Sequence, residues 1–73
     1  MAHHAHVSLI LARRLARNAR PGIIISQLLE REAGGSGLRY SFDIKSGPAV
    51  YEVGIDAKNG LVLQNNVAQP NGD

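Results

Sequence analysis

Leu38-Arg39-Tyr40-Ser41-Phe42-Asp43-Ile44-Lys45 alternates apolar and polar residues without interruption. Successive side chains of a strand point to opposite faces, so this stretch predicts a β-strand with one dry side and one wet side. After Ser46-Gly47-Pro48 the alternation resumes, with Tyr51, Val53 and Ile55 interleaved with Glu52, Gly54 and Asp56. If Ile44 faces Tyr51, Phe42 faces Val53 and Tyr40 faces Ile55, every large apolar side chain of the hairpin falls on one side. A slip of one residue would turn all of them to water, so this register is strongly specified and implies a four-residue loop.

Working outward, Asp56-Ala57-Lys58-Asn59-Gly60 reads as the next turn. Asp56 is suited to an Asx turn, and Gly60 supplies the positive φ of a bulged hairpin. Leu61, Val62 and Leu63 begin a further strand that decays through Gln64-Asn65-Asn66. Upstream, Ile23–Arg31 is β-branched early and polar late, and ends before the Gly34-Gly35-Ser36-Gly37 loop. Before it the period changes. Leu9, Leu11, Ala12, Leu15, Ala16 and Ala19 share one side of a helical wheel, with Ser8 as N-cap and Pro21-Gly22 as terminator. Arg13, Arg14, Arg17 and Arg20 occupy the other side, with Ile10 among them. The expected fold is α+β, with one N-terminal amphipathic helix packed on a four-stranded antiparallel meander sheet. Its expected core is Tyr40, Phe42, Ile44, Tyr51, Val53, Ile55, Leu61 and Leu63, joined by Leu11, Leu15 and Ala19. Residues 8–67 form the domain, preceded by a disordered or expression-derived segment over 1–7 and followed by a polar tail over 68–73.

Composition narrows the functional classes. The chain has 73 residues, 44% of them hydrophobic and 19% charged, enough for one small globular domain. It has no cysteine, which excludes disulfide scaffolds, thiolate zinc sites and thiol nucleophiles. No apolar run approaches the roughly 20 residues of a transmembrane segment, and Val7–Ala12 is too short for a signal-peptide core. The three histidines, His3, His4 and His6, crowd the N-terminus with no fixed carboxylate nearby, so no metal or other cofactor is expected. They are also the only histidines, which removes the usual general base. Glu30, Glu32, Asp43 and Glu52 sit on or beside a wet strand face next to Ser41, Arg39 and Lys45, a solvated setting rather than a pocket that tunes carboxylates for acid/base work. The domain therefore reads as non-catalytic. Net charge is +2, but residues 1–24 carry four arginines and no acid. Such a face suits an anionic surface or nucleic acid. Nucleic acid is the weaker reading, because Tyr40, Phe42 and Tyr51 point inward and leave no stacking platform.

Val50-Tyr51-Glu52-Val53-Gly54-Ile55-Asp56-Ala57-Lys58-Asn59-Gly60-Leu61-Val62-Leu63 resembles the closing signature of PepSY domains. The alanine-rich helix ending Ala19-Arg20-Pro21-Gly22, and the strand ending Leu29-Glu30, are similar to the same family. The likeness runs from about Ser8 to Leu63. It departs at Gly54, where the family commonly has a long polar residue, and in the terse Ser46-Gly47-Pro48 loop. The resemblance implies an extracytoplasmic (periplasmic or secreted) protein-interaction module that binds or inhibits a peptidase, with no active-site residue to carry over. The alternative is a binder of nucleic acid or an anionic membrane surface through the arginine face. The candidate interaction surface is Ile10, Arg13, Arg14, Arg17, Arg20, Ile23, Ile24 and Ile25. The last three begin an outer strand whose first seven residues, Ile23–Leu29, hold no charge, proline or glycine to blunt the edge, so a homodimer through the first strand is also expected.

Overall fold

The computed structural model describes residues 6–68. Helix α1 (Leu9–Ala19) is followed by strands β1 (Ile23–Arg31), β2 (Leu38–Ser46), β3 (Ala49–Asp56) and β4 (Val62–Val67). The strands form one antiparallel sheet in the order β1-β2-β3-β4, with the helix against one face. This is the expected α+β meander.

The local signals act where the sequence puts them. Ser8 caps α1 by accepting from the Leu11 amide at 3.1 Å, and the helix ends at Arg20, whose backbone is extended before Pro21. In the central hairpin Ile44 faces Tyr51, Phe42 faces Val53 and Tyr40 faces Ile55, as the alternation requires. The pairing continues to Ser46 and Ala49, so the loop is the two residues Gly47-Pro48 rather than four. Gly47 has φ 62°, the conformation that lets a two-residue turn follow the twist of its strands. Strand β4 also outruns expectation. It stays paired with β3 through Asn66 and Val67, with one irregularity at Leu63, between the pairs Ile55–Val62 and Gly54–Gln64.

Phe42, Ile44, Val53 and Ile55 are fully buried, and Tyr40 lies nearly so, its ring stacked on Phe42 at 6.3 Å between centroids. The helix contributes differently from the wheel's suggestion. Ala12 and Ala16, one turn apart, are its buried residues, while Leu15 and Ala19 pack at the margin. Small side chains at the contact let the helix axis come close to the sheet. Leu11 is consequently exposed, since it lies about 100° around the helix from Ala12. Leu61 is 62% exposed at the mouth of the β3–β4 turn, and Leu63 and Tyr51 are half-buried.

Val7, placed outside the domain by the sequence, lies in the core. The amides of His6 and Val7 both donate to the Ala57 carbonyl, at 3.0 and 2.8 Å, and the Tyr40 hydroxyl donates to the Val7 carbonyl at 2.7 Å. The chain entering the helix therefore closes one end of the sheet. The expectations for residues 1–5, which include His3 and His4, and for 69–73 lie outside the described residues.

Candidate interaction surface

The residues that the sequence singles out divide into three groups. Arg20, the last of the four arginines, leaves the helix face altogether. Its extended backbone swings the guanidinium over the Tyr51 ring, 3.8 Å from the centroid, and its Nε donates to Asn65 Oδ1 at 3.2 Å. Asn65 Nδ2 in turn donates to the Ala19 carbonyl at 3.2 Å, so this end of α1 is tied to β4. Arg20 thus acts as a structural clamp between the end of α1, β3 and β4. It also covers part of the Tyr51 ring, which lies at the margin of the core rather than within it.

Arg13 is half-buried and its guanidinium donates to Gln27 on β1. Arg14 and Arg17 remain exposed. Together with Ile10, Asn18, Pro21 and Gly22 these three arginines border an open groove of about 530 Å³. It is basic and contains no carboxylate.

The third group is β1. Ile24 sits opposite Ile44 and packs at the edge of the core. The next pair in the register is Ser26 with Asp43, so Ile25 is an extra residue, a β-bulge. The bulge inverts the face of everything after it. Gln27 and Leu29 now join Ile24 on the helix side, opposite Phe42 and Tyr40, while Ser26, Leu28 and Glu30 point away. Yet the helix covers mainly β2 and β3, so both faces of β1 are only partly covered. Ile23 is 67% exposed, Ile25 53% and Leu28 59%, with Leu29 exposed as well. Leu9, Gln27, Leu28, Leu29 and Tyr40 line a largely apolar groove of about 410 Å³ between the helix and this edge.

The far face of the sheet is acidic. Asp43 and Glu52 are directly opposite one another, each held by a neutral donor: Ser26 Oγ to Asp43 at 2.8 Å, and Gln64 Nε2 to Glu52 at 3.1 Å. Glu30 accepts from Ser41 Oγ at 2.5 Å. These three and Glu32 line a groove of about 540 Å³. Arg39 does not lie solvated beside them as its place in the alternation suggests. It is buried across Gly54, donating to Gln64 Oε1 at 3.4 Å and to the Ala33 carbonyl at 3.0 Å, while its Nε has no partner among the described residues. A Cβ at position 54 would come within 3.2 Å of the guanidinium, a tight contact that Arg39 would have to shift to accommodate.

Asp56 holds two distant loops together. Its carboxylate accepts from the Ser36 hydroxyl and amide, both at 2.7 Å, and from the amides of Lys58 and Asn59. Burial alone would raise its pKa, but the hydrogen bonds from Ser36, Lys58 and Asn59 outweigh burial and hold it at about 2, below the ordinary 3.8. Gly35 touches the same group. With φ 55° it occupies the left-handed region, and a Cβ there would lie 2.4 Å from Asp56 Oδ2. The Asx turn is foreseeable from the sequence. The bonds to Ser36, twenty residues away, carry no local signal.

Among the described residues no three His, Cys, Asp or Glu side chains gather as metal ligands, and no helix is long and apolar enough to cross a membrane. Comparison of the chain with models of protein families, with curated proteins and with solved structures returns no match.

Proposed function

We propose that this chain is a non-catalytic protein-interaction module of PepSY type, working outside the cytoplasm, whose first strand receives a partner. The carrying observation is the state of β1. It is an outer strand, its first seven residues are uncharged, and neither of its faces is fully covered. Unpaired backbone groups flanked by apolar side chains are the requirements for strand addition by an extended segment. The titratable groups support the same reading. Asp56 and Arg39 are engaged in holding the fold, and Glu30, Asp43 and Glu52 bond to neutral neighbours on an open face. The resemblance of Val50–Leu63 to the PepSY signature names the partner class as a peptidase.

Amide hydrogen exchange with and without a panel of thermolysin-like peptidases tests this. The expected result is added protection confined to β1, lost in Leu29→Lys, together with binding or inhibition below high micromolar concentration. Protection elsewhere, or no interaction with any member of the panel, removes the peptidase assignment.

A second reading rests on the basic groove beside Arg13, Arg14 and Arg17, which suits an anionic surface or nucleic acid. Its binding would be electrostatic and fall steeply with salt. Arg14→Gln combined with Arg17→Gln should abolish binding to anionic vesicles or DNA at low salt while leaving the fold intact. Binding that persists in the double variant, or that ignores salt, excludes it.

A further inference from the structure

The strand that the proposed function assigns to a partner is also complementary to itself. We infer that β1 pairs with β1 of a second copy about a two-fold axis through Leu28; this rests on β1 being a docking edge and names its occupant.

The symmetry restricts the choice severely. Two antiparallel edge strands side by side can be related only by a two-fold axis perpendicular to the sheet, so both helices stay on the same face. Side chains opposite one another must then share a face, which allows only registers centred on a residue. The bulge at Ile25 limits the regular stretch to Ser26-Gln27-Leu28-Leu29-Glu30 and the residues after it. Centring on Gln27 sets Ile25 against Leu29 and runs the ladder through the bulge. Centring on Leu29 buries Leu28 against Glu30, and centring on Glu30 puts two carboxylates face to face, which is repulsive. Centring on Leu28 avoids all three. Leu28 meets Leu28, Gln27 meets Leu29 on the helix side, and Ser26 meets Glu30 on the far side, with no like charges opposed.

The alternatives on the molecule are poorer. The other outer strand, β4, is shorter and has Gln64, Asn65 and Asn66 at its centre. A net charge of +2 gives two copies little reason to repel. The result is a continuous eight-stranded sheet with a helix on each half. Between the helices the partly covered helix sides of the two β1 strands lie next to each other. An interface limited to one strand edge and its flanking side chains falls below the roughly 1,200–2,000 Å² of stable complexes, so the dimer belongs to the micromolar range or weaker.

The absence of cysteine makes the test clean. Residues directly opposite in an antiparallel pair have Cα atoms about 4.5–5.5 Å apart, within the range a disulfide spans. Leu28→Cys should cross-link under mild oxidation at least about tenfold faster than Leu61→Cys, a residue of equal exposure far from β1. Ser26→Cys mixed with Glu30→Cys should give the mixed dimer ahead of either homodimer. In sedimentation across a dilution series the cysteine-free chain should dissociate from dimer to monomer, and Leu28→Lys, at an exposed position, should remain a folded monomer throughout. Equal cross-linking rates for Leu28→Cys and Leu61→Cys, or a strictly monomeric chain at the highest attainable concentration, overturn the pairing. If self-pairing fails while a peptidase still protects β1 from exchange, the docking edge stands and only its occupant is wrong.

Discussion

Asp56 shows how much one side chain can carry in a domain this small. It is fully buried and charged, and it fastens the β1–β2 loop through Ser36 to the β3–β4 turn. Because its pKa is about 2 in the folded chain against 3.8 ordinarily, it is a depressed carboxylate. Its contribution is therefore fully present above the ordinary value and is lost as pH falls from about 4 towards 2. Denaturant melts at pH 7, 4, 3 and 2 should show wild-type stability declining across that window, with a flatter profile for Asp56→Asn. Asp56→Ala at pH 7 should cost on the order of 3 kcal/mol, because it orphans buried donors as well as removing charge-assisted bonds. An unchanged melt would show that the two loops hold without it.

At the scale of elements, the helix and the central hairpin carry the core unequally. Phe42 is buried from every side on β2, and Phe42→Ala should lose about 3–5 kcal/mol. A variant as stable as the parent would mean that the dry face of the sheet is not the one described. On α1 the contact is made by alanines. Ala16→Leu should therefore destabilise by about 1–3 kcal/mol through overpacking. Leu11→Ala should cost less, at most about 1 kcal/mol, since Leu11 is 42% exposed and lies outside the buried core. Chemical denaturation of the two variants separates the observed helix phase from one rotated towards Leu11, which would reverse their order.

Across the whole molecule, the segment before the helix belongs to the fold. Val7 is in the core, and its carbonyl is the acceptor for the buried Tyr40 hydroxyl. A chain beginning at Ser8 should lose about 1.5–3 kcal/mol from Val7 burial alone. The unpaired Tyr40 hydroxyl adds about 1–3 kcal/mol. Thermal unfolding of the shortened chain should accordingly fall by well over about 5 °C. A shortened chain that melts with the parent would show that residues 6 and 7 only decorate the sheet edge. The charge distribution is also a property of the whole. The basic groove lies beside α1 and the carboxylates lie across the far face of the sheet, a separation that the net charge of +2 conceals.

What depends on neighbours along the chain was legible before the fold was known. Strict alternation in Leu38–Lys45 and Tyr51–Asp56 settled the strands, their facing pairs and the dry side, because a shift of one residue exposes every apolar group. Ser8, Pro21 and Gly60 marked a cap, a stop and a turn through their own backbone preferences. The tertiary structure alone decided which arginines stay free. Arg20 is captured by Tyr51 and Asn65, and Arg13 by Gln27, partners that lie 14 to 45 residues away. It also decided that Arg39 is buried over Gly54 and that Val7 joins the core. The bulge at Ile25 belongs to the same class. A uniform run of three isoleucines carries no phase of its own, so β2 dictates which of them faces inward. Periodicity encodes the faces of an element, whereas the pairing of long polar side chains and the slips between strands depend on contacts that form only after the elements have come together.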